Sequence, residues 1–79
     1  MKVEVQLFAS LMQYMPGQTG HAPYVIEVAD GTTVGALLVS LKVPVGLAKL
    51  IFRNGVHARE EEVLQEGDRV AAFPPIAGG

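Results

Sequence analysis

Tyr24-Val25-Ile26-Glu27-Val28-Ala29-Asp30-Gly31-Thr32-Thr33-Val34-Gly35-Ala36-Leu37-Leu38-Val39-Ser40-Leu41 is the stretch on which the architecture turns. Its first five residues read as a strand, with Ile26 and Val28 facing inward and Glu27 outward. Asp30-Gly31 reads as a turn. Thr33 stands where a helix N-cap belongs, because its hydroxyl can accept from an unpaired N–H of the first turn. Val34, Leu37, Leu38 and Leu41 then fall at i, i+3, i+4 and i+7, an apolar stripe about two helical turns long. Pro44 has no N–H and prevents the helix from continuing.

Strands flank this unit on both sides. Val3, Val5 and Leu7 alternate with Lys2, Glu4 and Gln6, the period of a strand buried on one face. Ser10 is expected to cap a short helical turn from Leu11 to Met15, broken by Pro16-Gly17. Leu50 to Arg53 reads as a third strand, with Leu50 and Phe52 inward and Ile51 outward. Asn54-Gly55 is a tight-turn signal, and Val56-His57 starts a return strand. Val63 and Leu64 anchor an irregular connection, and Glu66-Gly67-Asp68 is another turn. Arg69 to Phe73 is the last strand, with Val70 and Ala72 inward. The expected core is Val3, Val5, Leu7, Ile26, Val28, Val34, Leu37, Leu38, Leu41, Leu50, Phe52 and Val70. Strands before and after one helix imply an α+β domain, a mixed sheet packed on that helix. With the first and last strands adjacent in its centre, this is the β-grasp, or ubiquitin-like, arrangement. The domain spans residues 1–73, and an extended Gly-Gly tail spans 74–79.

Composition narrows the function. The 79 residues suit one domain, and a domain of this size has too little core to enclose a large substrate cavity. Hydrophobic residues make up 49% and charged residues 18%, the balance of a folded globule. The formal net charge is −2 and the six basic residues form no run, so no nucleic-acid partner is expected. Glu60-Glu61-Glu62 is read as a solvated loop, with steering toward a basic partner as the alternative. The chain has no cysteine, which fits a reducing cytoplasm and excludes a thiol nucleophile or zinc thiolate site. No apolar run approaches the ~20 residues of a membrane span, so no membrane association is expected.

The chemistry points to the C-terminus. Pro74 and Pro75 cannot extend a sheet ladder and hold the chain extended as it leaves the domain. From Pro75 to Gly79 the tail can reach about 17 Å at ~3.4 Å per residue. Gly78 and Gly79 lack Cβ, so they can pass a channel too narrow for other residues. The tail thus reads as an arm that presents the Gly79 carboxylate to another protein. A carboxylate becomes an acyl donor once activated, for example as an acyl-adenylate from ATP. A sulfur donor can then displace AMP and leave a thiocarboxylate. The chain has no Gly-rich phosphate loop of its own, so a separate enzyme must consume the ATP, and no bound cofactor or metal is expected.

The run Glu66-Gly67-Asp68-Arg69-Val70-Ala71-Ala72-Phe73-Pro74-Pro75-Ile76-Ala77-Gly78-Gly79 resembles the MoaD/ThiS family of sulfur carriers. Its Phe-Pro-Pro-x-x-Gly-Gly form is most similar to small subunits of molybdopterin synthase. The first strand, the helix after Asp30-Gly31-Thr32 and the Asn54-Gly55 turn fit the same pattern, so the resemblance covers nearly the whole chain. Leu50-Ile51-Phe52-Arg53 also resembles the third strand of ubiquitin. The stretch from Leu11 to Ala22 departs from the pattern, with more turn residues and less helix. The resemblance implies that an E1-like enzyme adenylates Gly79 and that a sulfurtransferase or cysteine desulfurase supplies sulfur. It implies that the tail then enters the large synthase subunit and gives sulfur to cyclic pyranopterin monophosphate. The expected catalytic element is Gly79 with Gly78, and the chain is expected not to be an enzyme by itself. Phe8, Ile51, Ala71, Phe73, Pro74, Pro75, Ile76 and Ala77 are the expected partner contacts.

Other readings stay open at this level. A carrier for another pathway, such as the thiazole of thiamine, shares the tail chemistry, as does a ubiquitin-like modifier joined to lysines. A non-covalent β-grasp interaction module would use only the surface. His21 and His57 read as surface histidines, Ser10 as a capping hydroxyl, Asp30 as a turn residue, and Met12 and Met15 as loop or core packing.

Overall fold

The computed structural model describes residues 1–18, 20, 22–44 and 46–75. The alternating N-terminus forms β1, Lys2–Leu7, with Val3, Val5 and Leu7 buried. β2, Tyr24–Glu27, pairs antiparallel with it and lies at one sheet edge. β3 (Leu50–Arg53), β4 (Val56–His57) and β5 (Arg69–Phe73) complete a five-stranded sheet of order β2-β1-β5-β3-β4. β1 and β5 run parallel side by side and the other pairs are antiparallel. The sheet is therefore mixed, with the first and last strands together as expected.

The helix α1 spans Val34–Ser40 and covers one face of the sheet. Thr33 caps it, its hydroxyl accepting from the Ala36 N–H at 3.1 Å. Its far end stops before Pro44 acts. Lys42 takes a left-handed φ of 67°. The Lys42 N–H then donates to the Val39 carbonyl and the Val43 N–H to the Leu38 carbonyl. This paired closure is a Schellman motif, and buried Val43 supplies its apolar contact. Val34, Leu37, Leu38 and Leu41 meet Val3, Val5, Leu7, Val70, Ala72 and Ile51 in one core.

Several assignments differ from the sequence reading. Leu11, Met15, Val43, Ala58 and Leu64 are also buried, whereas Ile26 and Val28 are only half-buried against the core. Ser10 is not a cap. Ala9–Tyr14 is a 3-10 helix preceded by Phe8, and Ser10 lies inside it, with its carbonyl accepting from Gln13 Nε2. The largest correction is the phase of β3. Ile51 is 3% exposed and packs in the core, while Leu50 is 40% exposed on the opposite face with Phe52. The pairing dictates this, because residues directly opposite in a ladder share a face. Ile51 sits opposite buried Ala72, and Leu50 and Phe52 sit opposite Phe73 and Ala71.

Candidate functional site

The uncovered sheet face is built by register. Parallel pairing sets Gln6 beside Ala71 and Leu7 beside Ala72, so the next step along both strands brings Phe8 beside Phe73. Their rings stack, with centroids 4.4 Å apart and planes 5° from parallel. Antiparallel pairing sets Phe52 opposite Ala71, one diagonal step from Phe73. These two rings meet edge to face at 6.0 Å. His57, opposite Phe52 across the β3–β4 hairpin, adds an edge contact at 5.9 Å. Phe8, Phe73, Phe52 and His57 thus form one stripe across β1, β5, β3 and β4. A concavity of about 450 Å³ opens along it, lined also by Gln6 and Ala71.

The stripe ends where the tail begins. The Lys49 N–H donates to the Phe73 carbonyl at 2.9 Å, closing the ladder on β5. Pro74 follows and offers no N–H for another rung. At the same sheet end the chain turns sharply after Phe8, through Ala9 at a φ of 52°. Both stacked rings therefore sit beside the departure point of Pro74 and Pro75. Ile76, Ala77, Gly78 and Gly79 lie outside the described residues, as does His21.

Of the expected contact residues, Phe8, Ala71, Phe73 and Pro74 are together at this end of the face, half-buried, and Pro75 is exposed. Ile51 does not belong to it and is withdrawn, because its side chain points into the core. Phe52, Leu50 and His57 do belong and were missed. The β3–β5 register decides this, since an outward Phe73 requires its partner Leu50 and the diagonal Phe52 to be outward too.

Charges sit at the opposite end of the sheet. Asp68 is 8% exposed. Its carboxylate accepts from Asn54 Nδ2 at 2.9 Å and from the Gln65 N–H at 2.8 Å, with Arg53 Nε at 3.7 Å. Burial pushes this carboxyl up, but those two hydrogen bonds and the Arg53 guanidinium together hold it below the ordinary 3.8. Among the described residues, no cluster of histidine and acidic side chains could hold a metal ion. No helix among them is long and apolar enough to cross a membrane.

The ThiS family model matches residues 5–79, nearly the whole chain. The chain belongs to the ThiS family. Solved structures agree with this ubiquitin-like fold. Small archaeal modifier protein 1 of Haloferax volcanii is 26% identical, each chain is covered in full, and the TM-score is 0.72. A Pyrococcus furiosus protein provisionally assigned as molybdopterin converting factor subunit 1 is 29% identical. That match covers 96% of this chain and 99% of the other, with a TM-score of 0.70. Subunit 1 in a Helicobacter pylori complex of molybdopterin-converting factor subunits 1 and 2 is 22% identical over the full length of both chains, with a TM-score of 0.60. No curated protein sequence matches the chain. This ThiS-family member therefore shares its fold with both sulfur carriers and protein modifiers.

Proposed function

We propose that the chain is the sulfur-carrying small subunit of a molybdopterin synthase. The observation that carries this reading is the junction at Phe73. In a ThiS-family chain, an aromatic docking stripe ends at the residue from which a Pro-Pro arm leads to a terminal Gly-Gly. Docking through the stripe fixes where the arm enters a partner, and a fixed approach is what an acyl-transfer step needs. The Helicobacter complex of subunits 1 and 2 supports a large-subunit partner.

The chemistry follows from the carboxylate. A Gly79 oxygen attacks the α-phosphate of ATP on an E1-like enzyme, releasing pyrophosphate. A persulfide formed on a sulfurtransferase or cysteine desulfurase attacks the acyl carbon and expels AMP, and a thiol then cleaves the S–S bond of the acyl disulfide, leaving the thiocarboxylate and a disulfide. The resulting thiocarboxylate enters the large subunit, its sulfur bonds to cyclic pyranopterin monophosphate, and water hydrolyses the acyl–sulfur bond, restoring the Gly79 carboxylate. This chain binds no cofactor in the scheme, and catalysis resides on its partners, in the cytoplasm. Intact mass after co-expression with the native activating enzyme tests the first half. Exchange of oxygen for sulfur adds about 16 Da. Purified large subunit with pterin precursor then tests the pathway, with molybdopterin as the expected product. A thiocarboxylated chain that gives no product with that subunit would exclude this pathway.

The likeness to small archaeal modifier protein 1, at nearly the same identity, favours one second reading, conjugation of Gly79 to lysines of other proteins. The two readings differ in product. Peptide mapping of cell extracts, cut after basic residues, for lysines carrying the 70–79 remnant that follows Arg69 detects the modifier.

A further inference from the structure

Asn54 is the only asparagine of the chain, and Gly55 follows it. Their φ angles of 55° and 81° are those of a two-residue hairpin turn with both central residues left-handed. The Asn54 side chain is engaged at both atoms. Nδ2 donates to Asp68 Oδ1 at 2.9 Å, and Oδ1 accepts from the Arg69 N–H at 2.9 Å. The Asn54 N–H donates in turn to the Arg69 carbonyl at 2.8 Å. One residue therefore locks the β3–β4 turn to the start of β5. The nearly buried Asp68 carboxylate only accepts, so its side-chain partner at this place must be a donor.

An asparagine before a glycine is also a chemical liability. The Gly55 nitrogen, with no side chain beside it, can attack Asn54 Cγ. The new N–C bond forms, the bond to the side-chain NH₂ breaks, and ammonia leaves. Water opens the resulting succinimide ring to aspartate or to isoaspartate, with no change of oxidation state. Both residues are exposed, so water has access. The lock opposes the first step, because Cγ cannot swing toward Gly55 without breaking both side-chain hydrogen bonds.

We propose that Asn54 is an intrinsic modification site at which loss of the side-chain amide releases the β3–β4 turn from β5. The product carboxylate has no hydrogen to give Asp68, so two acceptors meet where a donor and an acceptor stood. Neighbouring cations are already matched. Arg53 faces Asp68 and, at 3.6 Å, Glu62, and Arg69 faces Glu4 at 3.9 Å. His57 of β4 packs against Phe52 instead. Isoaspartate also adds a backbone atom to a turn with no slack. The turn therefore records the age of the chain: closed while the amide survives, open once it is lost.

The full-length chain is incubated folded, at mildly alkaline pH and body temperature, and followed by intact mass. Each event adds about 1 Da, and peptide mapping assigns it to Asn54 rather than to one of the four glutamines. Asp68→Ala frees Nδ2 and is expected to raise the rate about tenfold, because reaction proceeds through the opened turn. Asn54→Asp, the product mimic, is expected to show a lowered urea midpoint at neutral pH. The midpoint recovers on acidification toward pH ~5, as the carboxylate pair takes up a proton. Asn54→Ser loses the same contacts without the charge and should show no such recovery. Equal mass-gain rates in wild type and Asp68→Ala would overturn the lock. An Asn54→Asp midpoint equal to wild type at neutral pH, or no more acid-recoverable than Asn54→Ser, would overturn the release.

Discussion

At the start of β5 a nearly buried carboxylate sets how the protein responds to acid. Asp68 is held below its ordinary value in the fold, so the unfolded chain binds its proton more readily. Its contribution is therefore fully present above about pH 4 and lost as pH falls through the lower, folded value. Asp68→Asn should be less stable than wild type at neutral pH, and urea midpoints of the two should converge on acidification. A gap that stays constant would show that the carboxylate is not the stabilising form. In β3, Ile51→Glu places an unpaired charge in the core and is expected to cost about 3 kcal/mol or more. Phe52→Glu and Phe73→Glu lose ring contacts worth about 1 kcal/mol each and should keep native circular dichroism. Calorimetry with the large subunit and the activating enzyme should show binding weakened about tenfold or more in both. Wild-type affinity in both would remove the stripe from the interface. The sequence left the phase of β3 ambiguous for a physical reason. Leu50-Ile51-Phe52 is an unbroken apolar run, and its polar flanks, Lys49 and Arg53, share the parity of Ile51. Arg53 does not mark the solvent face, because its guanidinium finds partners in the Val63 carbonyl, Glu62 and Asp68 at the sheet end.

At the scale of elements, the start and face of α1 were legible because the Thr33 cap and the i, i+3, i+4, i+7 stripe agree, whereas its end was set by the left-handed Lys42 before Pro44 could act. The strands were legible where polar and apolar residues alternate, as in β1 and β5. The 3-10 helix Ala9–Tyr14 was only partly legible, because buried Leu11 and Met15 are too far apart and too few to set a period. Leu38→Ala should lower stability by about 2–5 kcal/mol, since Leu38 is buried between helix and sheet. An unchanged denaturation midpoint would contradict that packing. The C-terminal end of α1 offers the opposite test. Lys42 holds a left-handed angle that a side chain resists and glycine adopts freely. Lys42→Gly should therefore stabilise the fold by up to about 1 kcal/mol, after the entropy glycine loses on folding. A lower melting temperature in that variant would show that the Lys42 side chain contributes more than the strain costs.

Over the whole molecule, the order β2-β1-β5-β3-β4 puts helix and core on one face and the aromatic stripe on the other. The same order makes β5 central, so its last residue delivers the tail from the middle of the sheet rather than from an edge. The Gly-Gly tail could be read as an expectation from the sequence because the motif needs no tertiary contact to be seen, whereas the aromatic stripe needs four strands in register. In the proposed function docking and delivery fall to different parts of the chain, and kinetics should separate them. Phe73→Glu keeps an intact Gly79 carboxylate and weakens docking. Its sulfur transfer should show a raised KM for the large subunit and nearly wild-type kcat at saturation. Removing Gly79 keeps the stripe but shortens the arm by about 3.4 Å and misplaces the reactive carbon. That variant should fold and dock, yet lose turnover at any partner concentration. Gly78→Val should behave like the truncation, because a branched side chain crowds a narrow channel and restricts the backbone. Single-turnover assays with thiocarboxylated chains, titrated with large subunit, distinguish the two classes. If Phe73→Glu lost kcat rather than affinity, the stripe would act in the chemical step. If the truncated, thiocarboxylated chain still turned over, the reach of the arm to Gly79 would not be what positions the reactive carbon.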